Sequence, residues 1–476
     1  MAMTQKMRSL LSLLALAAVA GGAGLYAYYG VHLKQEAEKA KKEKDEKLFA
    51  DLDKTKLAQV TVTAKGETTV LAHSKTPEQW NLISPVNTLA DKGTIEALVD
   101  RLGQMKSKSV VEEKAADLKK YGLDKPAIKV VAKTEDGKEF VLRCGEENSF
   151  DSSIYVALGD SHDVVSAEGS FKNAVERTTF DLRDKRVAPV EESEIAALEL
   201  TTPDSLHIQL TKQDGKWKLL APIADRGDDQ AVNKLVSAIR NLRAIKFVTD
   251  TASADDVARY QLDKPRAEAV LTLTSGARMT LTWQQITQDS KTTTYARRKE
   301  ATFIAEVPDA IVADLNVKPG DLRDKSLITF DKDKVAKVTF ALAEGPFTLE
   351  RKKPEGDAGK SEDWTITAPT PGVAKKWKMN SVLWGLSSMK ATGIAEDNAA
   401  DLAKYGLDKP AKAVTLFDGE GKELGTVAFG KEEADKVYAR NTAETRVFQV
   451  EKSRMGELPS ARADLEEVKA DAGAPK

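Results

Sequence analysis

The sequence predicts an α+β protein: three tandem copies of one module, each a mainly antiparallel sheet with packed helices, behind one N-terminal transmembrane helix. Three observations predict it. The hexapeptide Tyr121-Gly122-Leu123-Asp124-Lys125-Pro126 returns as Tyr260-Gln261-Leu262-Asp263-Lys264-Pro265 and again as Tyr405-Gly406-Leu407-Asp408-Lys409-Pro410. Ahead of each stands a Trp followed five residues later by a Pro: Trp80 and Pro85, Trp217 and Pro222, Trp364 and Pro369. An uncharged run, residues 9–30, follows Lys6 and Arg8.

That run reaches about 33 Å as a helix, enough to cross a bilayer core. Basic residues before it place the N-terminus in the cytoplasm, with Tyr26, Tyr28 and Tyr29 near the far interface. Ala18-Val19-Ala20 offers the competing reading, a cleaved signal peptide. The expectation is an uncleaved anchor over residues 1–33, a single pass through a bacterial inner membrane and a periplasmic body. Residues 34–48, rich in Lys and Glu, read as a solvated helical stalk.

The first copy spans residues 49–187. Residues 60–63 and 68–71 flank Lys65-Gly66-Glu67 as a hairpin, and 80–83 form a third strand stopped before Pro85. Ile95, Leu98, Val99 and Leu102 follow helical spacing. A short helix runs into the hexapeptide, and strands 128–132 and 140–144 meet around Asp136-Gly137. A closing helix precedes Asp181-Leu182-Arg183-Asp184-Lys185. The second copy, residues 188–327, ends on Asp321-Leu322-Arg323-Asp324-Lys325; the third, residues 328–468, decays to Ala463-Asp464-Leu465, and residues 469–476 form a tail.

The repeated motif has a structural reading. A helix ends at the Tyr, Gly takes the left-handed position after it, Leu folds back on the helix, and Pro opens the next strand. Gln261 departs from this and must tolerate the left-handed backbone or end the helix otherwise. The Trp residues alternate with aliphatics, as in a half-buried strand, and read as core; the alternative is a sugar-stacking platform, which needs them exposed. Counted from the motif proline, Cys144 occupies the slot of Trp283 and Phe429, so it reads as a small buried hydrophobe. Tyr155, Tyr295 and Tyr438 also coincide, mid-strand.

Composition narrows function by exclusion. A net charge of −2 over 476 residues gives no field for nucleic acid. A single cysteine and four scattered histidines give neither a disulfide framework nor metal-ligand spacing. No phosphate loop, nucleophile elbow or His-Glu-x-x-His occurs. The sequence therefore yields no catalytic, cofactor-binding or metal residue, and reads as non-enzymatic; a hydrolase whose site is assembled only by folding is the alternative. Candidate partner residues are Trp377 and Trp384, which share a helical face and have no counterparts in the other copies, and the closing pairs Arg183, Asp184, Arg323 and Asp324. These closing turns read either as a partner contact or as polar joints between modules.

The anchor, the repeated Trp-x-Leu-x-x-Pro and the Tyr-Gly-Leu-Asp-x-Pro motif together resemble a bacterial family of uncharacterised domains. Its members are membrane-anchored and often encoded beside gliding-motility-type ABC transporter genes. The resemblance implies an auxiliary envelope protein working with an ABC transporter permease and its extracytoplasmic subunit, and carries over no catalytic residue. The expected function is a membrane-anchored scaffold or accessory subunit of such a complex. The alternative is an envelope glycan- or ligand-binding module.

Overall fold

The computed structural model describes residues 47–352 and 363–467, with scattered positions between 19 and 36. The expected membrane run and stalk lie largely outside the described residues. Among those described, no helix is long and apolar enough to cross a membrane.

The first module is one nine-stranded sheet. Its strands are β1 (Leu57–Ala64), β2 (Glu67–Lys75), β3 (Glu78–Ser84), β4 (Thr88–Leu89), β5 (Ser109–Glu112), β6 (Ile128–Thr134), β7 (Glu139–Glu147), β8 (Ile154–Leu158) and β9 (Val164–Ala167). They lie in the order β4-β3-β2-β1-β6-β7-β8-β9-β5. Helix α1 (Lys92–Gln104) links β4 to β5 and therefore carries the chain from one edge of the sheet to the other. Two further nine-stranded sheets, from strands within residues 195–307 and 337–451, repeat that order. Their edge-crossing helices are α2 (Asp229–Arg240) and α3 (Lys376–Ser388). Three antiparallel sheets thus match three tandem modules, as the repeats predict; the two-residue β4 and the edge strand β5 were not legible in advance.

Strand alternation builds the core. Val60, Val62 and Ala64 of β1 stand opposite Ala132, Val130 and Ile128 of β6, and all six are buried. Ile95, Leu98, Val99 and Leu102 of α1 join the same cluster, and Asp91 caps that helix by accepting from the Thr94 amide at 3.0 Å. The opposite face of the sheet carries a smaller cluster of Ala115, Leu123, Ala157 and Val164, with Tyr121 and Tyr155 packed against it. The hexapeptide builds this second core. Gly122 is left-handed at φ 66°, and the Leu123 amide returns to the Leu118 carbonyl at 3.0 Å. The motif tyrosines meet the mid-strand tyrosines that coincide in the alignment: Tyr121–Tyr155, Tyr260–Tyr295 and Tyr405–Tyr438 centroids lie 5.0, 4.5 and 4.9 Å apart. The bonds preceding Pro85, Pro222 and Pro369 are cis.

By compactness the described chain divides into two units, and the division passes through the second module. The first unit runs to Glu191 and takes in Arg240–Pro265 and Leu281–Ile311; the second takes in Glu192–Ile239, Arg266–Thr280 and the chain from Val312 onward.

Candidate functional site: joints, groove and exposed helix

The closing turns lie in joints. In the first unit, Arg183 bridges to Ala90 of its own module, with the Asp184 amide donating to the Leu89 carbonyl at 2.9 Å. A few residues on, the Ala244 amide of the second module donates to the Lys185 carbonyl at 2.7 Å, and Val187 donates to Leu242 at 2.9 Å. The Arg183 side chain is buried, ion-paired with Asp250, and its guanidinium lies 3.3 Å from the Phe247 ring centroid. Asp184 is also buried and binds Arg186, Nη2 to Oδ2 at 2.8 Å.

The second unit repeats this joint with more charge. Arg323 bridges to Gly227, donates from Nε to Asp225 Oδ2 at 2.5 Å, and engages Asp397. Arg446 donates to Asp225 Oδ1 at 2.8 Å, while Asp324 pairs with Arg226 at 3.4 Å. Burial alone would raise the Asp225 carboxyl, but bonds from Arg446 and Arg323 outweigh it and hold the group below the usual range. Arg323 first, against burial, does the same for Asp397. The closing pairs therefore serve contacts within the chain. Arg183, Asp184 and Arg323 are all buried, and each has an intramolecular partner.

The third module ends differently. Glu466 occupies the position of Arg183 and Arg323, as its bridge to Ala374 shows, and is held by Arg462 of the same turn, Nη2 to Oε1 at 2.8 Å. At the other end, Glu113 of the first module corresponds to Asp250 and Asp397: the amides of Ala115, Ala252 and Ala399, each two residues on, donate to matching carbonyls of His162, Thr302 and Thr445. Glu113 is exposed, and neighbouring Val110 on edge strand β5 is 61% exposed.

The repeated tryptophans divide. Trp217 and Trp364 are each 2% exposed, as core packing requires. Trp80 is only half-buried and stacks on its cross-strand neighbour His73, centroids 4.7 Å apart at 16°. This pair lines a groove of about 920 Å³ in the first unit, walled on one side by the closing turn through Asp184 and Arg186. Cys144 is buried in the core, where burial pushes its thiol up to about 12; it is unsuited to nucleophilic chemistry at neutral pH. Trp377 and Trp384 are 68% and 59% exposed on α3, whose buried face is Met379, Val382, Leu383 and Leu386.

Sequence reasoning missed Asp225, Asp250, Asp397, Arg446 and His73. A signal existed for Asp250 and Asp397, each shortly before the hexapeptide, but their spacing to the motif proline differs by two residues. His73 faces Trp80 across a hairpin, where Lys212 and Arg351 face Trp217 and Trp364.

Sheet modules of one topology, joined by their closing turns and carrying exposed aromatics, define a tandem-repeat protein. The chain belongs to the family described as Domain of unknown function (DUF4340), whose model matches residues 80–265, 217–363 and 364–468. No curated protein matches the chain.

Proposed function

We propose that the chain is a membrane-anchored, extracytoplasmic scaffold, a non-catalytic accessory subunit of an envelope ABC-transporter-type complex. One observation carries the scaffold reading: Trp377 and Trp384 project from one face of α3, largely exposed, in a module whose repeated tryptophan, Trp364, is core. Exposed tryptophans on a rigid helix are the side chains that protein interfaces use as anchors. The uncharged run at residues 9–30 after Lys6 and Arg8 supports the anchor, and the family resemblance supports a transporter permease and its extracytoplasmic subunit as partners. The test is crosslinking in cells with a C-terminal tag, followed by purification in mild detergent. Transporter subunits recovered in fixed ratio, and lost from a Trp377→Ser/Trp384→Ser variant, support the reading. Unchanged recovery from that variant would remove α3 as the contact; recovery of no transporter subunit would end the accessory reading.

A second reading, an envelope glycan- or ligand-binding module, is favoured by one specific observation, the half-buried Trp80 lining an open groove.

A further inference from the structure

The groove beside β3 differs from its counterpart in the second module in what meets the indole. Trp217 Nε1 donates to Asn233 Oδ1 of α2 at 2.8 Å, which seals the ring. The matching step of α1 is Glu96, which lines the groove, and Trp80 Nε1 has no hydrogen-bond partner among the described residues. His73 turns Nδ1 to the Leu57 carbonyl at 3.2 Å; with the proton there, Nε2 is left as an acceptor.

The charges of the lining bound the ligand. Four cations and four carboxylates face the groove; Lys54 pairs with Asp100, Arg186 with Asp184, Lys92 with Glu96 at 3.9 Å, and Lys75 with Glu135 outside the groove, so the lining is close to neutral overall. A polyanion would meet Glu78 and Glu96; a cationic ligand would meet Lys75 and Lys92. A wholly apolar ligand would strip water from these polar groups without replacing it. A neutral ring bearing hydroxyls avoids all three costs. Its C–H surface packs on the aromatic stack, and its hydroxyls both donate and accept.

We propose that this groove binds a neutral saccharide, held against the His73–Trp80 stack and hydrogen-bonded by Trp80 Nε1 and Glu96. The proposal rests on the ligand-binding reading above and names its site and ligand class. Titration calorimetry on the full-length chain in detergent tests it, with chitotetraose as the neutral probe and a hyaluronan tetrasaccharide as the anionic one. The expected result is saturable binding of chitotetraose, weakened about tenfold by Trp80→Ala and unaffected by Trp377→Ala. Glu96→Gln and His73→Ala provide the same comparison should Trp80→Ala fail to fold. Binding that none of the groove variants changes would place the ligand elsewhere, overturning the groove while the ligand-binding reading stands. Preference for hyaluronan would overturn the neutral class. No binding of either probe would remove groove and reading together.

Discussion

Arg183 shows how a charged side chain is retained in a joint. Its guanidinium is buried, with Nη1 paired to Asp250 and the Phe247 ring beneath it, while Nε has no hydrogen-bond partner among the described residues. Arg183→Ala is expected to lower stability by about 2 kcal/mol, through the lost ion pair and ring contact, with part of the Coulomb loss recovered by hydration of the half-exposed Asp250. Arg183→Lys should recover little, because an ammonium cannot lie flat on the ring while reaching the carboxylate. Chemical denaturation of the three proteins checks the order; equal stability of the Lys and Arg forms would argue against the stacking role. None of this was legible from the motif Asp-Leu-Arg-Asp-Lys alone. Asp250 lies 67 residues further on, and nothing local to Arg183 announces it. The burial of Trp217 and Trp364, by contrast, was legible from two-residue alternation, since that period is a property of each strand by itself. The same pattern failed for Trp80, which is half-buried and lines a groove with Glu96 of α1, a separate element on which strand alternation carries no information.

Among the elements, the hexapeptide turn is the best case for sequence reasoning and also shows its limit. Gly122 and Gly406 are left-handed, at φ 66° and 65°, as the motif predicts, and Gln261 keeps that conformation at 54°. What the motif does not disclose is a second glycine behind it. A Cβ on Gly145 would lie 1.9 Å from the Tyr121 carbonyl oxygen, and one on Gly430 would lie 2.3 Å from that of Tyr405. In the second module both places are glutamine, and Gln284 Nε2 donates to Gln261 Oε1 at 3.4 Å. The two positions change together because turn and strand touch backbone to backbone only where both are glycine. Gly406→Ala is therefore expected to cost more than about 1 kcal/mol, from left-handed strain and from a Cβ placed 2.9 Å from the Lys431 amide nitrogen. Gln261→Ala should change stability by less than about 0.5 kcal/mol, since that module already accommodates a side chain there. Thermal melts of the two variants separate the cases, and a neutral Gly406→Ala would contradict the close approach.

At the level of the whole molecule, the joint of the second unit should respond to acid. Asp225 and Asp397 are held below their ordinary range by Arg446 and Arg323, so the stability they contribute is present above the unfolded aspartate value and is lost as pH falls through the lowered folded values. Amide exchange at Arg323 to Ser326 is expected to accelerate in that acid window before the sheet cores open, and Arg446→Gln should move the onset to higher pH. Exchange that accelerates only with global unfolding would show that the network is not the weak point. The three-module architecture was legible because repetition supplies its own alignment. The nine-strand order was less so: β5 sits at the far edge, next to β9, although α1 delivers it early in the chain, and such long-range pairing leaves no local pattern.

Glu466 stands where the two earlier turns place arginine, and the exposed Glu113 waits where the two later modules place their acid. In polymer terms, the opposite-charge pairing that joins successive modules is missing between the turn of the third module and the first module of another copy, where both residues are acidic. Glu466→Arg would turn the terminator into a connector. Because such a head-to-tail contact does not close on itself, the outcome is concentration-dependent linear growth, visible as a rising sedimentation coefficient and reversed by Glu113→Lys.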